Sequence, residues 1–188
     1  MVSLVNLLRG NLGDSFHRGG PVLEQLLDVL PNTLYLTVSA LVLAYGYGVI
    51  GGIFMAARRG TRTEKVGIIF TLMTRAAPEF WVGMILLTIF AFNLRWLPSS
   101  GTAPAGTIFH TEAEKLLSPV FWRHMLLPML TLALYLHGLP LLLMRSNMLE
   151  IMDHDFITMG RLPGFSERRI MIRHAERNAL LPVLTAFT

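Results

Sequence analysis

Three apolar runs dominate the chain, each nearly free of charge: Thr33 to Ala57, Val66 to Phe92 and Met125 to Met144. A helix rises 1.5 Å per residue, so about 20 residues cross a hydrocarbon layer of about 30 Å, and each run is long enough to span. The pattern predicts an all-α, polytopic membrane helical bundle. Upstream, residues 21–30 place Val22, Leu26, Leu27 and Leu30 on one face, which predicts an amphipathic helix within an external segment 1–32. Between the second and third runs, Pro98, Ser99, Ser100, Gly101, Pro104 and Gly106 form a turn-rich loop. The final apolar stretch, 178–188, is too short to cross and is expected to be the start of a further span. Within the first run, Gly46, Gly48, Gly51 and Gly52 are expected to form a face where a neighbouring helix approaches closely.

Composition sharpens this picture. The 188 residues are 53% hydrophobic and only 15% charged, against about 25% charged in soluble domains. Absence of Cys excludes disulfide scaffolds, thiolate metal sites and cysteine nucleophiles. Lys and Arg outnumber Asp and Glu by 16 to 12, and their placement carries the meaning. Arg58, Arg59, Arg62 and Lys65 follow the first run; Arg145, Arg161, Arg168, Arg169, Arg173 and Arg177 follow the third. By contrast, segments 1–32 and 93–124 hold only Arg9, Arg18, Arg95, Lys115 and Arg123. The positive-inside rule therefore assigns 58–65 and 145–177 to the cytoplasm and 1–32 and 93–124 to the outside. Basic residues so distributed report membrane orientation rather than nucleic acid.

Enzyme chemistry finds little support. The six His residues form no i, i+4 ligand pair with a carboxylate partner, so no metal site is expected. Gly164-Phe165-Ser166-Glu167-Arg168 imitates a nucleophile elbow, but Arg168 replaces the second Gly. A phosphate-cradling Gly-x-x-x-x-Gly-Lys-Ser/Thr loop is absent, so the chain does not hold ATP by that device. No catalytic residue and no cofactor is expected. The charges that stand out are Arg75 and Glu79, inside the second run, and His137, inside the third. Arg75 would sit about 14 Å deep, and Glu79, four residues on, shares its helical face, so the two are expected to pair. Pro78 between them removes one backbone bond and allows a bend.

The polar stretch Glu150 to Asn178 predicts two short helices. Asp153 or Asp155 caps the first, Pro163-Gly164 ends it, and Ser166 starts the second, making a compact cytoplasmic knob. Its sequence from Asp155-Phe156-Ile157-Thr158-Met159-Gly160-Arg161 through Gly164-Phe165-Ser166-Glu167-Arg168-Arg169 to Arg173-His174-Ala175-Glu176-Arg177-Asn178 resembles the cytoplasmic loop of ABC transporter permeases. The branch it resembles is that of the dipeptide, oligopeptide and nickel importers that work with a binding protein. Further matching segments run in family order: Leu8 to Ser15, Pro21 to Glu24, Leu30 to Leu34, Ala56 to Gly60, Pro78 to Gly83, Trp96 to Gly101 and Leu127 to Ala133. Pro163 departs from the pattern, standing where family members often carry Lys.

That resemblance implies the transmembrane domain of a type I ABC importer over 33–188, multi-pass in the cell inner membrane. It also implies a coupling loop, 145–177, that docks an ATPase through Asp155, Phe156, Thr158, Gly160, Arg161, Gly164, Phe165, Ser166 and Arg169. Implied partners are a second permease subunit, cytoplasmic ABC ATPases that hydrolyse the ATP, an external solute-binding protein and membrane lipid. The implied solute is a di- or oligopeptide, with nickel or another small solute as the alternative. Arg75, Glu79 and His137 are the candidates for the translocation path, the two charges matching the ends of a zwitterionic peptide. Because such permeases have about six spans, the chain is expected to be truncated at both ends, and a non-transporting remnant is the competing reading.

Overall fold

Apolar residues set the helices of this chain, and two of its prolines, Pro78 and Pro140, accompany breaks between them. A computed structural model describes residues 12–16, 19–152, 183 and 185, and among these every regular element is helical. Two units are distinguished, Met1–Val38 and Ser39–Thr188. The helices are α1 Val22–Ala57, α2 Arg62–Ala76, α3 Glu79–Leu86 with a π-helical continuation Leu87–Asn93, α4 Glu112–Leu117, α5 Pro119–Leu136 and α6 Gly138–Met152.

In the first unit the chain doubles back before α1. An isolated bridge joins Asp14 to Pro21, Val22 donates its N–H to the Gly13 carbonyl at 2.9 Å, and Gln25 Nε2 donates to the Gly19 carbonyl at 2.7 Å. The amphipathic helix expected over 21–30 is not a separate element. It is the start of α1, which runs as one 36-residue helix through Pro31. Proline costs the Leu27 carbonyl its helical donor without forcing a stop. Leu26, Leu27 and Leu30 remain exposed.

Within the second unit, α1 presents small residues every fourth position, Ala40, Ala44, Gly48, Gly52 and Ala56, all buried. Gly48 lies against Pro140 and the His137 carbonyl; Gly52 lies against the Leu141 carbonyl and Met144. A side chain at Gly52 would place its Cβ 2.6 Å from that carbonyl, so glycine is what lets the two helices meet. The expected glycine face is thus realised by Gly48, Gly51 and Gly52, whereas Gly46 has no such neighbour. Ala56, Met144, Met148 and Val183 form the adjoining core.

The expected span from Val66 to Phe92 is divided. α2 ends at Ala76, Ala77 turns extended (φ −71°, ψ 137°), and α3 resumes at Glu79, with a bend of 105° between the two arms. Pro78 explains the break, because its ring pushes the preceding residue out of the α region and it brings no N–H to the Thr74 carbonyl. The expected span Met125 to Met144 also divides, at His137, between α5 and α6. Here Pro140 deprives the Leu136 carbonyl of its donor. By length and composition α1 and α5 suffice to cross a membrane, and the bent pair adds a third crossing if taken as one span. Their outward residues agree with a lipid solvent: Val42, Ile50, Val66, Phe80 and Phe92 are all exposed.

Candidate functional site

Where α2 ends, its last turn carries Arg75 into a cavity of about 240 Å³. Leu41 and Tyr45 of α1, Tyr135 and Leu136 of α5 and Leu139 of α6 complete the lining. The aliphatic stem of Arg75 lies over Gly138, so close that a methyl group there would overlap its Cγ and Cδ. Gly138 therefore sets where the guanidinium goes. Five donors on a permanently charged plane, set among apolar and phenolic surfaces, suit a carboxylate above any neutral group. The cavity is smaller than the roughly 300–1,000 Å³ of pockets that enclose a small molecule, which fits a terminal group better than a whole solute.

Glu79 does not join Arg75. No ion pair connects the two among the described residues, and Glu79 does not line the cavity. The expected pairing required a continuous helical turn, and the extended Ala77-Pro78 segment removes it.

His137 sits at the junction of α5 and α6 and is fully buried. Its Nδ1 is 2.6 Å from the Leu134 carbonyl, which can only accept, so that nitrogen carries a proton and donates. No hydrogen-bond partner reaches Nε2 among the described residues. The Tyr47 ring lies 5.2 Å away. His137 thus stands beside the cavity, between its neighbours Leu136 and Gly138, and is not part of the lining.

A second constellation closes the other end of α2. Thr61 caps the helix, accepting from the Glu64 N–H at 3.4 Å, and Glu64 Oε2 reaches back to the Gly60 N–H at 2.6 Å. The other oxygen of Glu64 accepts from Arg145 of α6, through Nε at 2.8 Å and through Nη2. Thr61-x-x-Glu64 has the spacing of a capping box, a local signal absent from the expectations drawn from sequence, while the second use of the carboxylate has no local signal. α6 consequently meets α2 twice, at Glu64 through Arg145 and at Arg75 through Gly138, so the two helices run antiparallel. The expected coupling-loop residues Asp155, Phe156, Thr158, Gly160, Arg161, Gly164, Phe165, Ser166 and Arg169 lie outside the described residues.

Comparison with known proteins gives this architecture a context. Residues 48–188 match the family described as binding-protein-dependent transport system inner membrane component. The chain is 37% identical over 189 residues to the oligopeptide transport system permease protein AppB of Bacillus subtilis (strain 168), covering 98% of this chain and 56% of that protein. It is 32% identical over 195 residues to the di/tripeptide transport system permease protein DppB of Pseudomonas aeruginosa, covering 97% and 57%. To the glutathione transport system permease protein GsiC of Salmonella typhi it is 29% identical over 182 residues, covering 97% and 54%. The chain spans about half the length of these relatives. With three quarters of its residues matched and every regular element among its described residues helical, the chain belongs to the family of binding-protein-dependent transport system inner membrane components.

Proposed function

We propose that the chain acts as a permease subunit of an ATP-driven importer of di- or oligopeptides, multi-pass in the inner membrane. Its partners on this reading are a second permease, cytoplasmic ABC ATPases and an external solute-binding protein. The relatives support it, being oligopeptide, di/tripeptide and glutathione transport system permease proteins that each align along nearly the whole chain. One observation carries the reading at residue level: Arg75 at the broken end of α2, in a cavity sized for a terminal group. Arg75 meets the peptide carboxylate, the tyrosines bound the space around it, and Glu79 and His137 serve the path from outside the cavity. The chain supplies no bond-breaking chemistry, and ATP hydrolysis belongs to the separate ATPase.

On the same reading the segment 153–173 contacts the ATPase, with Gly164 at the turn and Phe165 as its aromatic anchor. Displacement of that segment passes into α6 and, through Arg145 and Gly138, into α2 and Arg75.

The test is uptake of a labelled dipeptide by the assembled transporter, comparing a free C-terminal carboxylate with its amide. Arg75→Gln should raise the half-saturating concentration of the free acid about tenfold to a hundredfold, a hydrogen bond to a charged group being worth about 1.5–3 kcal/mol. The amide should respond little. Equal losses for acid and amide would reject the carboxylate contact, and absence of peptide uptake in the unaltered transporter would reject the peptide assignment.

A further inference from the structure

At the opposite end of the bent pair from Arg62 lies a depression of about 390 Å³, formed by the turn after the π-helical segment and the first turns of α5. Three basic side chains surround it, Arg95, Arg123 and His124, over an apolar floor of Leu97, Pro98, Pro104 and Val120. No acidic residue lines it. The nearby carboxylates are engaged elsewhere, Glu112 with Lys115 and Glu114 with the His110 N–H. Neither Arg95 nor Arg123 has a carboxylate partner among the described residues.

The basic groups are held in place rather than adrift. Arg123 Nη2 donates to the Trp96 carbonyl at 2.8 Å, joining α5 to the turn. Leu94 donates to the Ile89 carbonyl at 2.9 Å, and Trp96 and Leu97 donate to the Phe90 carbonyl at 2.9 and 3.2 Å, fixing the chain on either side of Arg95. Arg95 between them adopts φ 53°, a left-handed conformation unfavourable to any residue with a Cβ, and among the described residues it is the only non-glycine at positive φ. His124 Nδ1 lies 2.8 Å from the Val120 carbonyl, which leaves Nε2 for a ligand.

Position identifies the ligand. Arg95 stands two residues past the π-helical segment of the bent pair, and Arg123 and His124 lie in the first two turns of α5, so all three stand at the ends of helices whose length and apolarity suit a membrane crossing, the level where headgroups replace hydrocarbon. Trp96 and Trp122, the residue type enriched at that level, flank them. Two guanidiniums without acidic partners call for an anion, and a floor of proline and aliphatic carbon calls for an amphiphile, a combination a phospholipid meets and a free inorganic ion does not. The charge is also out of place by orientation, since the basic distribution assigns 93–124 to the face where Lys and Arg are scarce.

We propose that this depression binds the phosphate of an anionic phospholipid, with Arg95 and Arg123 holding the phosphate and Leu97, Pro98 and Val120 receiving the glycerol and upper acyl chain. The site depends on membrane insertion but not on transport, so its test is separate from the peptide reading.

The protein, purified in detergent, is exposed to equal amounts of phosphatidylglycerol and phosphatidylcholine, and retained lipid is read by native mass spectrometry. One phosphatidylglycerol should be retained at least tenfold over phosphatidylcholine. Arg95→Gln with Arg123→Gln should abolish that preference, whereas Arg58→Gln with Arg59→Gln, at the other end of the spans, should leave it. Inorganic phosphate at millimolar concentration should not displace the lipid; displacement would show a free-anion site instead. As a control against misfolding of the variant, a photoreactive phosphatidylglycerol added to the unaltered protein should crosslink within residues 95–124. Equal retention of the two lipids, a preference that survives the double substitution, or crosslinking elsewhere would overturn the proposal.

Discussion

Glu64 and Arg145, 81 positions apart in the chain, are joined by two hydrogen bonds from one guanidinium to one carboxylate oxygen, while the second oxygen holds the Gly60 N–H. Glu64 is only 5% exposed and the Arg145 side chain 26% exposed, so the contact is partly shielded from water. One carboxylate thereby fixes both the start of α2 and its distance from α6.

This double duty predicts non-additive losses. Glu64→Gln and Arg145→Gln should each lower the unfolding temperature of the detergent-purified protein, since each leaves a partly shielded charge without its counter-ion. The double variant should lose less than the two separate losses combined, because the second substitution removes the orphaned charge. Strict additivity would show that the groups do not interact.

Helix approach at Gly52 gives a second prediction. Gly52→Leu should destabilise by at least about 1–3 kcal/mol, the usual cost of overpacking, because its first carbon already collides with the Leu141 carbonyl and Met144. Gly46→Ala, on the same helix with nothing near its Cβ position, should be neutral or stabilising by up to about 1 kcal/mol. Thermal unfolding of the two variants side by side checks the contrast, and equal behaviour would contradict the packing of α1 on α6.

Proline at 78 invites a direct geometric measurement. Pro78→Ala restores an N–H and frees Ala77 to become helical, so α2 and α3 should straighten toward one rod of about 45 Å. Spin labels at positions 66 and 89, introduced as cysteines into this Cys-free chain, should move apart in the variant. An unchanged distance would mean that tertiary packing, and not proline, holds the bend.

Gly138 tests the position of Arg75 without touching its charge. Gly138→Ala places a methyl where the Arg75 stem now lies and should reproduce part of the selective loss of free-acid peptide uptake produced by Arg75→Gln. Loss of acid and amide uptake alike would instead indicate a general packing defect.

Orientation is checked by single cysteines. Gly106→Cys should react with an impermeant thiol reagent applied to intact cells, and Arg62→Cys should react only after permeabilisation. The reverse pattern would invert the topology read from the basic residues.

Local chemistry was legible in the sequence; contacts between distant segments were not. Hydropathy located the apolar runs because lipid imposes one simple requirement on them, and the small residues of α1 announced a packing face. The spacing of Arg75 and Glu79 misled because i, i+4 adjacency presupposes helix, and the residue before a proline tends to leave it. Pro31 and Pro140 show the converse difficulty: one is absorbed within α1, while the other accompanies a division at His137. What decides between these outcomes is the packing of neighbours, which no local pattern contains. Arg145 looked like one more cytoplasmic cation, and only the fold reveals that Glu64 awaits it.

The break at Ala77-Pro78 also bears on how the chain enters the bilayer. Each arm reaches about 22 Å at 1.5 Å per residue, short of a layer of about 30 Å, and the Thr74 carbonyl is left without its helical donor in a region where lipid offers none. α1 and α5 meet the length and apolarity required to partition as independent segments, whereas neither arm of the bent pair does so by itself. Synthesis nevertheless delivers the pair before α5. Its stable placement therefore waits on residues the ribosome has yet to add, and it should linger at the insertion machinery until α5 and α6 emerge to line its polar elbow. A nascent chain stalled before Pro119 would hold α1 in the membrane while leaving α2 and α3 open to extraction.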